Sequence, residues 1–247
     1  MKESDLFDTL RGLGVRARRE ALISLVSHAH QSRCSPTETL EKLVELERRE
    51  RDAANLARRA KLATLGSVKA LDRFDWNHPR SVDRAQYEAL LTMDFLRTGH
   101  NVLLRGPSGV GKTTLAQSLG QAALERGHTV RFATLASALA DLLKQESSPA
   151  LERRLRRYVR PDLLVLDELG YLPCTQQGSD LLFTIISRRH EKRSTVITTN
   201  LSYKQWSTIL PSPACLIALV DRFTQHCHVL DIDADSWRQK GGRSAPR

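Results

Sequence analysis

The sequence predicts an α/β fold, in which a five-stranded parallel sheet is flanked by helices and preceded by a small all-helical region. Two observations lead to this prediction. Before about residue 72 apolar residues recur at helical spacing without a strand signal, and beyond it short apolar runs alternate with helix-sized stretches, as in βαβ units. We therefore expect a helical region and basic connector over residues 1–72, an α/β domain over 73–236 and a basic tail over 237–247.

The length and composition of the chain limit the classes of protein to which it can belong. The 247 residues suit one ordinary domain and a smaller accessory region, and the net charge of +10 favours a polyanionic partner. The four cysteines are scattered without a CxxC pair, so neither a disulfide framework nor a zinc site is predicted. The N-terminus has no apolar signal core, and the longest apolar stretch, Ala214–Val220, is far below the ~20 residues that span a bilayer. We expect a cytoplasmic protein with no membrane partner.

The N-terminal region reads as helices. Leu6 and Leu10 lie at helical spacing in a first segment, and a second segment follows around Leu22. The run Ser35–Glu38 predicts a helix start, since serine caps, proline suits the first turn and glutamate completes a capping box. The helix beyond it becomes polar and basic from about residue 47, which is typical of an arm or connector.

The motif Phe74–Pro79 ends the helical pattern, and the strand signals follow it. The predicted strands are Asn101–Arg105, Val130–Ala133, Leu163–Asp167, Thr195–Thr199 and Cys227–Ile232. In the last strand the run His226-Cys227-His228 suggests a metal site, but alternation turns Cys227 away from both histidines. Ordinary strand packing is the favoured interpretation.

A phosphate-binding loop follows the first of these strands. The sequence of residues 106–113 matches GxxxxGK[ST], and it lies between an apolar strand and an apolar helical face that ends near Gly127. Glycines let the backbone wrap around phosphates, the lysine reaches the β- and γ-phosphates, and the hydroxyl of the threonine coordinates Mg²⁺. The residues predicted to bind ATP are Gly106, Pro107, Ser108, Gly109, Val110, Gly111, Lys112, Thr113 and Thr114.

Two acids complete the predicted site. The apolar run 163–166 ends in Asp167 and Glu168, as a buried strand does when it delivers carboxylates to a sheet edge. With Thr113, Asp167 would hold Mg²⁺, and Glu168 would orient and polarise the attacking water. Room for strand 130–133 and its helix between the two motifs indicates that an additional strand separates them. Asn200 ends the next strand and either contacts the γ-phosphate or is a turn residue.

These residues resemble the IstB-like ATP-binding proteins, relatives of the DnaC helicase loaders in the AAA+ class. The resemblance covers nearly the whole chain and rests on the phosphate loop together with residues 166–173, 187–195, 199–201, Trp206, 219–223 and the basic arm leading into 74–76. It implies an AAA+ ATPase that assembles with itself and with double-stranded DNA, without sequence specificity, and that governs target capture by a DDE-type transposase encoded beside it.

The resemblance also implies residue roles. Asn200 becomes the sensor of the γ-phosphate and Arg222 matches a second sensor arginine. An arginine finger is expected just before the asparagine-bearing strand, with Arg193 as the first choice and Arg189 as the second. Only about fifteen residues follow the last predicted strand, so we expect no helical lid of the kind found in larger AAA+ proteins.

Several alternatives stay open. A replicative helicase loader shares the same fold, and a small-molecule kinase shares the phosphate loop. A third alternative is a pure DNA-binding module with a vestigial nucleotide site. The kinase would usually lack an acid at the place of Glu168 and would carry an arginine-rich lid. The arginines of residues 153–160 either face nucleic acid or form solvated surface, and Phe74 and Trp76 either stack on adenine or cover the core.

Overall fold

The computed structural model describes residues 3–68, 71, 74–76, 81–171 and 174–234. The predicted tail over 237–247 and the motif residues Leu172 and Pro173 lie outside this part of the chain. The backbone divides into two compact units, Met1–Arg59 and Ala60–Arg247. The division falls inside a long helix, earlier than the change in sequence pattern near residue 72.

The first unit is helical, as the sequence predicts. It contains α1 (Glu3–Gly12), α2 (Arg19–Gln31) and most of α3 (Pro36–Ala63). Phe7, Ala17 and Leu22 form its small core, and leucines of α3 pack against them. A single carboxylate supports the α1–α2 connection, because Glu47 accepts hydrogen bonds from the backbone N–H groups of residues 16 and 17 at 2.7 and 2.8 Å.

The predicted start of α3 is confirmed. The Glu38 carboxylate accepts from the Ser35 N–H at 2.6 Å, and the Glu38 N–H donates to the Ser35 hydroxyl at 3.2 Å. This reciprocal pair satisfies two donors that a helix N-terminus would otherwise leave unpaired. The same hydrogen bonds to Ser35 lower the pKa of Glu38.

The second unit is built on a six-stranded sheet. Its strands are β1 (Ser81–Val82), β2 (Asn101–Arg105), β3 (Val130–Thr134), β4 (Leu163–Leu169), β5 (Ser194–Thr199) and β6 (Cys227–Asp233), in the order β1-β6-β2-β5-β4-β3. The five strands β2 to β6 are parallel, as predicted, and β1 is a short antiparallel addition to β6. A two-residue strand carries no periodicity, so the sequence did not indicate it.

Helices cover both faces of this sheet. They are α4 (Arg84–Leu90), α5 (Asp94–Thr98), α6 (Lys112–Glu125), α7 (Leu135–Leu143), α8 (Ser148–Val159), α9 (Gln176–Arg189) and α10 (Pro213–Thr224), with a 3₁₀ helix at Tyr203–Thr208. The central residues of β2, Val102–Leu104, have no exposed surface. Burial on both faces explains why these strands read as continuous apolar runs rather than as alternating patterns.

The sheet order separates the two motif-bearing strands, as predicted, but by a different strand from the one the chain order suggested. Strand β5 lies between β2 and β4, whereas β3 is at the edge. The connection from β4 through α9 therefore returns β5 to the centre of the sheet. As a result the phosphate loop, the two acids and Asn200 all follow strands that are adjacent in the sheet.

Residues 226–228 lie at the amino-terminal end of β6 and show the predicted alternation. Cys227 packs against the main core, while His226 and His228 lie beside the ring of His100, with centroids 5.1 and 5.6 Å away. In the described ranges no group of three potential ligands is arranged to hold a metal ion.

Candidate nucleotide-binding site

The phosphate loop joins the carboxyl end of β2 to the start of α6. Gly109 and Gly111 have φ angles of 85° and 94°, in the left-handed region that glycine adopts at little cost. Gly106 is required for another reason, since a Cβ there would lie 2.2 Å from the carbonyl oxygen of Ile232 on β6. The loop therefore runs so close to the neighbouring strand that a side chain at residue 106 would displace backbone.

The Lys112 side chain turns back onto the loop, whereas the Thr113 side chain faces the first acid, Asp167. The Lys112 ammonium donates to the carbonyl oxygens of Gly106 and Pro107 at 2.8 and 2.6 Å. The Thr113 hydroxyl lies 3.1 and 2.9 Å from the two carboxylate oxygens of Asp167. Thr114 lies in the first turn of α6, Ser108 is exposed and Val110 is buried in the core. The structure thus brings the loop and the first acid together.

The two acids differ in environment. Asp167 is only 3% exposed, whereas the next residue, Glu168, is exposed and has a φ angle of 62°. The register of β4 against β5 shifts between Leu166 and Leu169, which marks a bulge containing both acids. The bulge turns the Asp167 side chain towards Thr113 and leaves the Glu168 side chain at the surface.

Thr198 of β5 is a residue of this site to which the sequence analysis assigned no role. Its hydroxyl donates a short hydrogen bond to the Asp167 carboxylate and accepts one from the Glu168 N–H at 2.9 Å. The available signal was the pair Thr198-Thr199 at the end of a strand whose six residues are all buried. Such a polar side chain needs a partner, but the sequence could not say which one.

Asn200 follows β5 directly and is exposed at the same edge. Its side-chain oxygen lies 3.3 Å from the position that a Cβ on Gly170 would take, beside the turn after Glu168. The neighbouring Thr199 hydroxyl donates to the Leu169 carbonyl at 2.6 Å and ties the end of β5 to that turn. Asn200 therefore lies beside the turn that follows the two acids.

These residues fit Mg²⁺ and a nucleotide phosphate. A hydroxyl and a carboxylate within 3.1 Å of each other are the oxygen ligands that Mg²⁺ prefers. The N-terminus of α6 presents backbone N–H groups, and left-handed glycines shape the loop next to it.

The structure places Arg189 in the interior. It is 1% exposed, and its guanidinium donates to the Thr195 hydroxyl and to the backbone carbonyls of Tyr158, Val159, Pro161, Asp162 and Ser194. Burial, aided by the nearby Arg193 charge, lowers the pKa of this guanidinium. A side chain held in this way cannot reach a neighbouring subunit, so the placement argues against Arg189 as the finger.

Arg193 and Arg222 both lie at the amino ends of the strands, away from the phosphate loop. Arg193 precedes β5 and pairs with Asp162 at 2.6 Å. Arg222 stacks on Phe183, 4.8 Å from the ring centre, and donates to the Ser187 hydroxyl. Its backbone carbonyl contacts His190 at the end of α9. A five-residue strand of about 17 Å separates this edge from the loop, so the structure does not bring Arg222 to its own chain's nucleotide site as a second sensor.

Phe74 and Trp76 pack beside the loop. A Cβ on Gly111 would lie 2.5 Å from the Phe74 ring, so this ring rests directly on the loop glycine. Trp76 packs between Phe74 and Tyr87, and the Tyr87 hydroxyl donates to the Leu115 carbonyl at 3.0 Å. The cluster covers the start of α6, in agreement with the core-covering interpretation.

The fold and the site define an ATP-binding P-loop protein of the AAA+ class. The family model described as IstB-like ATP binding protein matches residues 9–245, so the chain belongs to that family. It is 33% identical to an insertion sequence IS232 putative ATP-binding protein of Bacillus thuringiensis subsp. berliner, over 97% of each chain. It is 34% identical to an insertion sequence IS21 putative ATP-binding protein of Pseudomonas aeruginosa, over 90% of this chain and 84% of the relative.

Solved structures agree on the fold. A DNA replication initiation factor superposes with a TM-score of 0.56 at 20% identity, covering 69% of this chain and 52% of that one. DnaI superposes with a TM-score of 0.54 at 19% identity, covering 65% and 91%. At this identity the likeness shows the fold alone. Across the helices of the described ranges, none combines the length and apolar character that crossing a membrane requires.

Proposed function

We propose that the protein hydrolyses ATP to ADP and phosphate as a transposition helper. The observation that carries the chemical part is the contact between Thr113 and Asp167, with Glu168 exposed next to it on the bulge. A protein that merely binds or senses nucleotide needs the first pair, whereas a second carboxylate at the edge supplies a group that can activate water.

Each residue of the site has a separate role in ATP hydrolysis. Lys112 binds the phosphates, while Thr113 and Asp167 would hold Mg²⁺, which neutralises phosphate charge when bound. Glu168 orients a water molecule and accepts its proton as the water oxygen bonds to the γ-phosphorus and the bond to the β-phosphate oxygen breaks. Asn200, at the same edge, binds the γ-phosphate or this water.

Two substitutions test these roles. Lys112→Ala should abolish nucleotide binding, whereas Glu168→Gln should bind ATP normally and stop phosphate release, because only the second role is confined to activating water. ATP affinity and phosphate release would be measured for both variants and for wild type. Equal turnover by wild type and Glu168→Gln would reject the assignment.

The biological role is inferred from the relatives. Two relatives, matched over 97% and 84% of their own length, are described as insertion sequence putative ATP-binding proteins. We therefore propose that the chain binds double-stranded DNA without sequence specificity, oligomerises with ATP, and regulates the DDE-type transposase of its own element during target capture. Helicase loading is the alternative, but the similarity to replication proteins is lower and partial.

The exposed arginines of α8 support DNA binding. Arg153 and Arg157 of α8 and its C-cap residue Arg160 are exposed and recur at i, i+4 and i+7, so they lie on one side of the helix. By contrast, Arg154 pairs with Asp141 at 3.4 Å. Arg157 also lines a cleft of about 350 Å³ beside the edge strand β3, together with Arg131. Cations placed in a row suit the regular spacing of phosphates along nucleic acid.

A direct assay separates the two biological roles. Purified protein would be combined with ATP, DNA and either the transposase encoded beside it or the replicative helicase of the same host. ATP-dependent stimulation of strand transfer by the transposase is the expected result. Stable binding to the helicase with no effect on transposition would establish the loader instead.

A further inference from the structure

The bulge in β4 leaves the backbone of the second acid without a normal sheet partner. Leu166 pairs with Ile197 and Leu169 with Thr199, so Asp167 and Glu168 together oppose the single residue Thr198. A bulge of this kind disrupts the ladder of backbone hydrogen bonds. The left-handed φ of 62° at Glu168 adds strain, which persists only where surrounding contacts hold it.

The Thr198 side chain replaces the lost backbone partner. Its hydroxyl accepts from the Glu168 N–H at 2.9 Å and donates its own proton to Asp167. Thr198 is 1% exposed, so water does not compete for either bond. The Thr198 hydroxyl therefore connects the backbone of Glu168, the proposed base, to the carboxylate of Asp167, the proposed metal ligand.

We propose that Thr198 is the positioning residue that sets the relative geometry of Asp167 and Glu168. By holding the Glu168 N–H it maintains the bulge that exposes the Glu168 side chain. By donating to Asp167 it occupies one acceptor position and directs the carboxylate towards Thr113. This inference rests on the proposed ATP hydrolysis and explains how one strand supplies two acids with different roles.

The test compares Thr198→Val, which keeps the shape and removes the hydroxyl, with Thr198→Ser, which keeps the hydroxyl. Residues that orient metal ligands typically contribute 10–100-fold in metal affinity or activity. Thr198→Val should lower kcat by about that factor, and Thr198→Ser should restore most of it. ATP affinity would also be measured with Mg²⁺ and with EDTA. Thr198→Val should reduce the gain in affinity that Mg²⁺ provides and leave the affinity in EDTA unchanged.

Thr195→Val is the matched control. Thr195 is equally buried on the same strand, but its hydroxyl accepts from the Arg189 Nε at the opposite edge. Loss of the Thr195 hydroxyl should lower the stability of the protein. It should change neither kcat nor the gain in ATP affinity that Mg²⁺ provides. If Thr198→Val does not fold, Thr198→Cys takes its place, because a thiol forms only weak hydrogen bonds.

The outcomes separate this inference from the proposed function. A wild-type protein that binds MgATP without hydrolysing it would reject the proposed function, and the Mg²⁺ effect would still test the link between Thr198 and Asp167. Active wild type with an unchanged Thr198→Val would overturn the inference alone. So would equal losses in the Val and Ser variants, because the hydroxyl would then not be the group that matters.

Discussion

At the scale of single residues, Arg189 shows how a charged side chain can act as a structural centre. Its donors reach the carbonyls at the end of α8 and those at the start of β4 and β5. The last carbonyls of a helix have no intrahelical partners, and an arginine near them is favourable. Arg189 therefore joins one helix to two central strands at a point that water does not reach.

Replacing Arg189 should destabilise the protein strongly. Arg189→Leu leaves several buried carbonyls without donors, at a cost of about 1–3 kcal/mol for each one that water cannot reach. We expect a loss of at least about 3 kcal/mol in the free energy of unfolding, measured by urea denaturation. Arg188→Leu is the control, since Arg188 forms a surface pair with Glu152 and should cost no more than about 1 kcal/mol. Similar losses in both variants would contradict the anchoring role.

A second prediction at this scale concerns pH. Burial, followed by the nearby charge of His100, lowers the pKa of His228 below its ordinary 6.5. As the pH falls below about 6.5 the unfolded chain binds a proton that the folded chain does not, so this residue makes stability decrease in acid. His228→Gln should flatten the pH dependence of the melting temperature between pH 7.5 and 5.5, and His100→Gln should flatten it in part. Identical pH profiles for all three proteins would reject this account.

At the scale of elements, α8 carries arginines in two different environments. Arg154 is neutralised by Asp141, whereas Arg153, Arg157 and Arg160 lie exposed on one side. The buried side of the helix is anchored by Leu155 and Tyr158. The helix can therefore present its charged side without depending on those arginines for its position.

The triple substitution of Arg153, Arg157 and Arg160 to glutamine should weaken binding to duplex DNA of any sequence. Each arginine that contacts a phosphate contributes about one unit to the slope of log affinity against log salt, so the slope should fall by up to about three. Fluorescence anisotropy at several salt concentrations measures this. Arg154→Gln is the matched control and should change the slope little. An unchanged slope in the triple variant would exclude this helix as the DNA surface.

At the scale of the whole molecule, the phosphate loop lies at one end of the parallel strands, and Arg193 and Arg222 lie at the other end. The five strands are parallel, so their amino ends, near Arg193 and Arg222, all lie on one side of the sheet. Their carboxyl ends, where the phosphate loop begins, lie on the opposite side. An arginine of one chain can therefore meet the nucleotide of another if subunits stack edge to edge. Within the described residues Arg222 forms no ion pair, whereas Arg193 would first have to leave Asp162.

Mixed assemblies test this arrangement. Lys112→Ala protein retains its arginines, and Arg193→Ala or Arg222→Ala protein retains its phosphate loop, so a mixture should recover ATP hydrolysis at mixed interfaces if the substituted arginine acts in trans. A finger of this kind contributes ~10³-fold or more in rate. Recovery with only one arginine variant identifies the finger. Mixtures that co-assemble and stay inactive, with both single variants inactive alone, would contradict action in trans.

The phosphate loop, the acid pair and the five parallel strands could all be predicted, because each depends on residues that are contiguous in the chain. A loop that binds phosphate needs glycines, a lysine and a threonine at fixed spacing, and a strand buried on both faces needs an uninterrupted apolar run. The capping box at Ser35 and Glu38 was predictable for the same reason. IstB-like membership followed from these local motifs taken together.

The remaining features depend on contacts between residues distant in the chain. Thr198 contacts Asp167 across 31 positions, and Arg189 contacts the carbonyls of residues 158, 159, 161 and 162 across about as many. In sequence Arg189 and Arg193 belong to one basic run, but folding buries the first and leaves the second partly exposed. Which of these two arginines is buried depends on how α9 packs against the sheet. That packing is set by residues distant in the chain, so the local sequence around Arg189 and Arg193 does not reveal it.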